Sequence, residues 1–181
     1  MAARYFEIIL NQIIAMKLYA WFVFFISVAP DINVRAQEIS EQPYITVEGE
    51  VTQSLKLYQS DLEKMSRVTV RFKGHDSIAH FYTGVPVIEI LNRAGVTMGK
   101  QLRGKNLAKF LLVSAADGYQ VVFSLAELDT SFNEKEIILA DKMNDKHIPV
   151  DTGPFQLIVP GEKKPARSCR EVVSFIIRSA R

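Results

Sequence analysis

The sequence predicts an α+β fold, a mainly β, mixed-sheet single domain with a few short helices. Three observations carry this reading. Short stretches alternate apolar and polar residues with a period of two, most clearly Val68, Val70 and Phe72 between Arg67, Thr69, Arg71 and Lys73, which gives a strand one wet and one buried face. Turn residues separate these stretches at close intervals, and helical signals are confined to brief capping patterns, with no strand-helix alternation of the doubly wound kind. The 181 residues, 48% of them hydrophobic, suffice for one buried core and are short for two ordinary domains.

The first 36 residues form a separate segment. Leu18 to Ala29 carries no charge, follows Lys17, and precedes Pro30 and Val34-Arg35-Ala36. A basic flank, a short apolar core and small residues before a cut describe a secretory signal cleaved after Ala36, with Met16-Lys17 as an alternative start. The competing reading is an uncleaved membrane anchor, but Lys17 interrupts the run and a spanning helix wants about 20 apolar residues. Export places the protein in the periplasm or another extracytoplasmic compartment, free of a stable membrane anchor once the leader is cut. Loss of Arg4, Lys17, Arg35, Glu7 and Asp31 with the leader leaves 19 basic and 18 acidic groups of the original 22 and 20. Such a balance steers no polyanion and argues against nucleic acid as a partner.

Residues 37–43 read as a linker and 44–181 as the domain. Tyr44 to Val51 predicts a first strand with a bulge at Gly49, and Leu55 with Leu57 a short second one. Ser60-Asp61-Leu62-Glu63 matches a capping box and predicts a short helix from Ser60. The alternating Val68 to Lys73 strand turns at Gly74 to Ser77 and returns over Ile78 to Thr83. Gly84-Val85-Pro86 opens a helix to Arg93, stopped at Gly95, with Val87, Ile88 and Leu91 as its buried stripe.

Met98 to Leu107 is a polar, basic loop. After it, Phe110 to Val113 and Val121 to Phe123 flank Asp117-Gly118, which predicts a hairpin with a two-residue type I′ turn. That turn pairs Leu112 with Phe123, Ser114 with Val121 and Val113 with Val122, and the apolar character of both faces predicts strands covered on both sides. Ser124-Leu125-Ala126-Glu127 repeats the capping box. Glu136 to Ala140, Phe155 to Val159 and Glu171 to Arg178 complete the strands, with a turn at Asn144-Asp145-Lys146.

Few residues announce chemistry. His75, His80 and His147 lack metal-ligand spacing, and no phosphate loop, dinucleotide fingerprint or nucleophile elbow is present. Cys169, the single thiol, reads either as a nucleophile activated by Arg167 and Arg170 or as a small buried residue entering the last strand. Between Pro160 and Arg170, Lys163, Lys164, Arg167, Ser168 and Arg170 form a basic loop that suits either a bound phosphate or a solvated turn.

Tyr82-Thr83-Gly84-Val85-Pro86, Val113-Ser114-Ala115-Ala116-Asp117-Gly118-Tyr119, Leu139-Ala140-Asp141, Gly153 to Gly161 and Ala166-Arg167-Ser168 follow in an order that resembles the molybdopterin-binding domain of the sulfite oxidase-like oxidoreductases. The short, exported, stand-alone versions are the nearest in kind, and the resemblance spans residues 44 to 178. It implies a mixed, mainly β domain that holds molybdenum through a pterin dithiolene and one protein thiolate. It places Lys163, Lys164, Arg167, Ser168 and Arg170 against the cofactor's phosphate and Tyr119 near the metal. Two positions depart from it: residues 66 to 85, where catalytic members place the thiolate, contain no Cys, and Gln156 stands where they carry Arg. A thiolate is a strong donor that sets molybdenum's electronics, and neither Ser nor His replaces it.

The resemblance therefore implies an exported molybdopterin-binding, oxidoreductase-like domain without its metal thiolate, with molybdopterin as cofactor and a redox protein as partner. Residue chemistry offers the alternative of a non-catalytic extracytoplasmic module that binds a small anionic ligand or a protein partner. In neither reading does a residue of this chain qualify as a metal ligand or a catalytic group.

Overall fold

The computed structural model describes residues 42–74 and 78–180. The predicted leader, most of the linker and His75 lie outside the described residues, as does most of the turn predicted at Gly74 to Ser77. Within them, no helix is long and apolar enough to cross a membrane.

Strands β1 (Tyr44–Gly49), β2 (Leu55–Tyr58), β5 (Lys109–Ala115), β6 (Gln120–Ser124) and β10 (Val172–Ser179) form one sheet, in the order β2-β1-β10-β5-β6. A second sheet joins β3 (Val68–Lys73), β4 (Ala79–Pro86), β7 (Ile138–Met143) and β8 (Lys146–His147) in that order, with β9 (Gln156–Ile158) also on β7. β1 and β10 run parallel while the other pairings are antiparallel. The sheets are mixed and the helices are few, as the fold class requires. They are α1 (Gln59–Leu62), α2 (Val87–Arg93) and α3 (Leu125–Leu128).

The main core lies between the sheets. Leu111, Val113, Phe123 and Phe175 from the first sheet meet Val85, Leu139 and Leu157 from the second, with Ile90 and Leu91 of α2 packed among them. Burying each such side chain contributes about 1.5–3 kcal/mol. Because strand side chains alternate, the other face of the second sheet carries a smaller cluster of Tyr82, Ile138, Ala140, Ile148 and Ile158, flanked by Val68, Val70 and Phe72. Gln156 is two residues from Ile158 on β9 and therefore faces the same way.

Two local features bring β4 and β7 together. A Cβ on Gly84 would stand 2.1 Å from the Leu139 carbonyl oxygen, so only glycine permits that approach, and the register of the pair shifts at Thr83/Gly84. At the start of β3, Arg67 forks onto the fully buried carboxylate of Asp141, donating from Nη1 at 3.1 Å and from Nη2 to the second oxygen.

The structure corrects several local expectations. The β5-β6 hairpin pairs Leu111 with Phe123, Leu112 with Val122 and Val113 with Val121, one residue from the predicted register. Gly118 has φ +87° whereas Asp117 is absent from the positive-φ residues, which excludes a type I′ turn. Instead Gly118 N–H donates to Ala115 O at 3.1 Å and Ala115 N–H to Tyr119 O at 2.9 Å, a three-residue loop with glycine at the left-handed position. Moving the register by one residue reverses the faces. Leu111, Val113 and Ala115 are buried, while Leu112 is half-buried and Val122 exposed, so the hairpin is covered on one face only. The type I′ signature belongs to Asn144 (φ +50°) and Asp145 (φ +63°), which join β7 to the unpredicted β8.

Helix α1 starts at Gln59, and Asp61 rather than Ser60 caps it by accepting from the Tyr58 N–H at 3.1 Å. The buried stripe of α2 is Val87, Ile90 and Leu91, with Ile88 half-buried. At α3 the predicted capping box is present, Glu127 N–H donating to Ser124 Oγ at 3.3 Å and Ser124 N–H to Glu127 Oε1 at 3.1 Å.

Candidate functional site

The basic loop does not stand out into solvent as a free lasso. After the Pro160-Gly161 turn it passes through a single 3₁₀ turn at Pro165–Arg167 and folds back along β9. There Leu157 N–H donates to Cys169 O at 2.8 Å and Val172 N–H to Phe155 O at 3.0 Å. Ser168 joins this zipper through its side chain, Oγ accepting from the Val159 N–H at 2.9 Å. Tyr119 reaches across from the hairpin loop, its hydroxyl donating to Ala166 O at 2.7 Å. One hairpin end is thereby fastened to the loop, with about half of the Tyr119 ring left in solvent.

Arg167 is committed within the protein. Its Nη1 donates to Glu127 Oε2 at 2.8 Å, its Nε donates to Glu162 Oε1 at 2.9 Å with Nη2 on the same oxygen, and its guanidinium carbon lies 4.6 Å above the Phe123 ring. Burial alone would raise the Glu127 pKa, but hydrogen bonds from Arg167 and Ser124 outweigh it and hold the carboxyl below the usual glutamate value. Two carboxylates face one guanidinium, so the cluster offers no surplus positive charge. Lys163 and Lys164 are exposed beside it.

The other predicted residues meet elsewhere. Ser168 and Arg170 line a cleft of about 40 Å³ together with Cys169, Gln156 and the rings of Phe72 and Tyr82, whose centroids are 6.0 Å apart in an edge-to-face arrangement. Tyr119, Lys163, Lys164 and Arg167 do not line it. Gln156, Phe72 and Tyr82 were absent from the predicted site. The alternating pattern of β3 marks Phe72 as inward-facing, but only the antiparallel pairing of β3 with β4 and of β7 with β9 sets these side chains beside the loop.

Cys169 changes meaning in this setting. It lies far from β3 in sequence, yet it shares the cleft with Phe72 and Gly74, the stretch in which the resemblance expects the metal thiolate. The thiol is nevertheless 5% exposed, and burial, aided by the negative charge of Asp117, pushes its pKa up to about 11. It is a neutral thiol at physiological pH, which sets aside the activated-nucleophile reading.

These residues do not fit a molybdenum-pterin group. The chain's one thiol is enclosed, the Arg167 charge is neutralised in place, and the cleft is far smaller than the roughly 300 Å³ of an ordinary small-molecule pocket. A larger groove of about 430 Å³ beside Tyr44, Phe155 and Val172 has Glu171 as its only charged lining residue, the wrong sign for a phosphate.

Comparison with known proteins places this arrangement. A search of curated proteins finds no match. Among solved structures, the chain is similar to the sulfane dehydrogenase SoxCD from Paracoccus pantotrophus, with 20% identity and a TM-score of 0.60 over 76% of this chain. At that identity the likeness shows the fold, and it spans 38% of the SoxCD chain. The family model described as oxidoreductase molybdopterin binding domain matches residues 33–173, from ahead of β1 to the start of β10. With its two mixed sheets, the zippered loop after Pro160-Gly161 and this match over most of its length, the chain belongs to the oxidoreductase molybdopterin binding domain family.

Proposed function

We propose that this protein is an exported, non-catalytic member of its family, a module that uses the molybdopterin-binding fold to hold a small anionic ligand. One observation carries the reading: the chain's one cysteine, Cys169, is 5% exposed, and residues 66 to 85, where catalytic members place the metal thiolate, contain none. A metal that needs a protein thiolate finds no cysteine in that stretch and only this enclosed thiol elsewhere in the chain. The pairing of Arg167 with Glu127 and Glu162 supports the same reading, because it removes the charge that a cofactor phosphate would use. Export rests on the leader alone, on the uncharged run from Leu18 to Ala29 and the small residues before Gln37.

The rival reading is a molybdopterin-loaded oxidoreductase with a redox protein partner, favoured by family membership. Native mass spectrometry of protein purified from a host that makes the cofactor tests both parts of the proposal. The expected spectrum shows a chain beginning at Gln37 with no pterin mass attached. A pterin-laden species overturns the non-catalytic reading, and a chain that still carries residues 1–36 overturns export by cleavage.

A further inference from the structure

On β9, between two core side chains and the cleft, Gln156 is 8% exposed; no fully buried side-chain polar atom among the described residues lacks a partner, so its amide, which hydrogen-bonds to none of them, reaches solvent at the cleft. Gln156 lines this cleft together with Arg170, an exposed residue in no ion pair among the described residues. Ser168 Oγ spends a lone pair on the Val159 N–H and keeps its own proton for donation. A glutamine amide, a hydroxyl and a cation thus line one small space, walled by Phe72 and Tyr82.

We propose that this cleft is a binding site for a single carboxylate group, held by the Arg170 guanidinium, the Ser168 hydroxyl and the Gln156 amide NH₂. Size and charge select that group. A cleft of about 40 Å³ accepts roughly three water-sized bodies, the scale of a carboxylate and one carbon. A single cation at the rim matches a monoanion. Asp117 lies near enough to act on Cys169 in the same cleft, which disfavours the second charge of a sulfate or phosphate dianion. The carboxylate belongs either to a free short-chain acid or to the C-terminus of a peptide, whose remainder would lie outside. The proposal rests on the binding-module reading and names the ligand class for it.

The experiment is a titration of the purified protein with acetate, followed in ¹H–¹⁵N correlation spectra at the Gln156 side-chain NH₂ and the Cys169 backbone N–H. Sulfate and phosphate at matched ionic strength serve as controls, and a tripeptide with a free or an amidated C-terminus separates the two sources. Saturable shifts at both groups with acetate are expected. Gln156→Leu and Arg170→Gln should each weaken binding roughly tenfold, the loss of one hydrogen bond to a charged group. Asp117→Asn, which retains the carbonyl that accepts from the Tyr119 N–H, should strengthen it several-fold. Should Gln156→Leu fail to fold, the exposed Arg170→Gln variant carries the test. Linear shifts equal in all variants, or sulfate binding as tightly as acetate, overturn the carboxylate site. A metal-free protein without an acetate response overturns this inference alone, whereas bound pterin overturns the reading beneath it.

Discussion

Arg167 reaches two carboxylates and an aromatic face at once, and those partners decide what it contributes. Arg167 is thereby a structural tie between the basic loop and α3. Arg167→Ala should lower stability by about 1–3 kcal/mol, measured by urea unfolding, because it takes the Arg167 donors from Glu162 and from Glu127 Oε2, leaving Glu127 only its Ser124 hydrogen bonds. The sign of the pH dependence follows. Glu127 has a depressed folded pKa, so its contribution is complete above the ordinary glutamate value and disappears as pH falls through the lower folded value. The wild type should therefore lose more stability on acidification than Arg167→Ala. Cys169 gives a second expectation at this scale: iodoacetamide should leave the folded protein unmodified at neutral pH and react only as pH approaches about 11, while urea-unfolded chain reacts near the ordinary thiol value. Fast stoichiometric alkylation of folded protein at neutral pH would contradict a buried neutral thiol. The sequence identified Arg167, Ser168 and Arg170 as one basic loop, but residue type does not reveal partners. Glu127 lies forty positions from Arg167, and a guanidinium free for a phosphate looks the same in sequence as one already satisfied.

At the scale of elements, the period-two pattern of β3 and the capping box of α3 were legible because each is a local signal that its own side chains satisfy. Register was less so. Asp-Gly fits a type I′ turn and a three-residue loop with left-handed glycine equally well, and the choice between them depends on which face of β5 meets Phe175 and Phe123 in the core. Two elements carry stability predictions. Gly84→Ala should cost about 2–3 kcal/mol, since the added methyl would sit against the Leu139 carbonyl and push β4 from β7. Asp141→Ala should cost about 3–5 kcal/mol by leaving the Arg67 charge unpaired, while the double variant Arg67→Met with Asp141→Leu should recover much of that loss. Both are read from urea midpoints with an unchanged slope. A double variant as unstable as Asp141→Ala would show that the pair does more than neutralise itself.

At the scale of the whole molecule, a chain can belong to a cofactor-binding family and lack the group that family chemistry uses. The ordered segments from Tyr82 to Ser168 were enough to read the fold, since each marks a turn or a close approach that the two-sheet architecture needs. The cleft was not legible, because Phe72, Tyr82 and Gln156 come from separate strands and meet only through sheet pairing, with Cys169 brought in by the loop that folds back along β9. The proposed function requires that this fold be kept without molybdenum chemistry. Elemental analysis for molybdenum and tungsten per chain, in protein purified from a cofactor-competent host beside a loaded family member as control, tests it most directly. Background metal in this protein and one molybdenum per chain in the control are expected; one metal per chain here would overturn the non-catalytic reading.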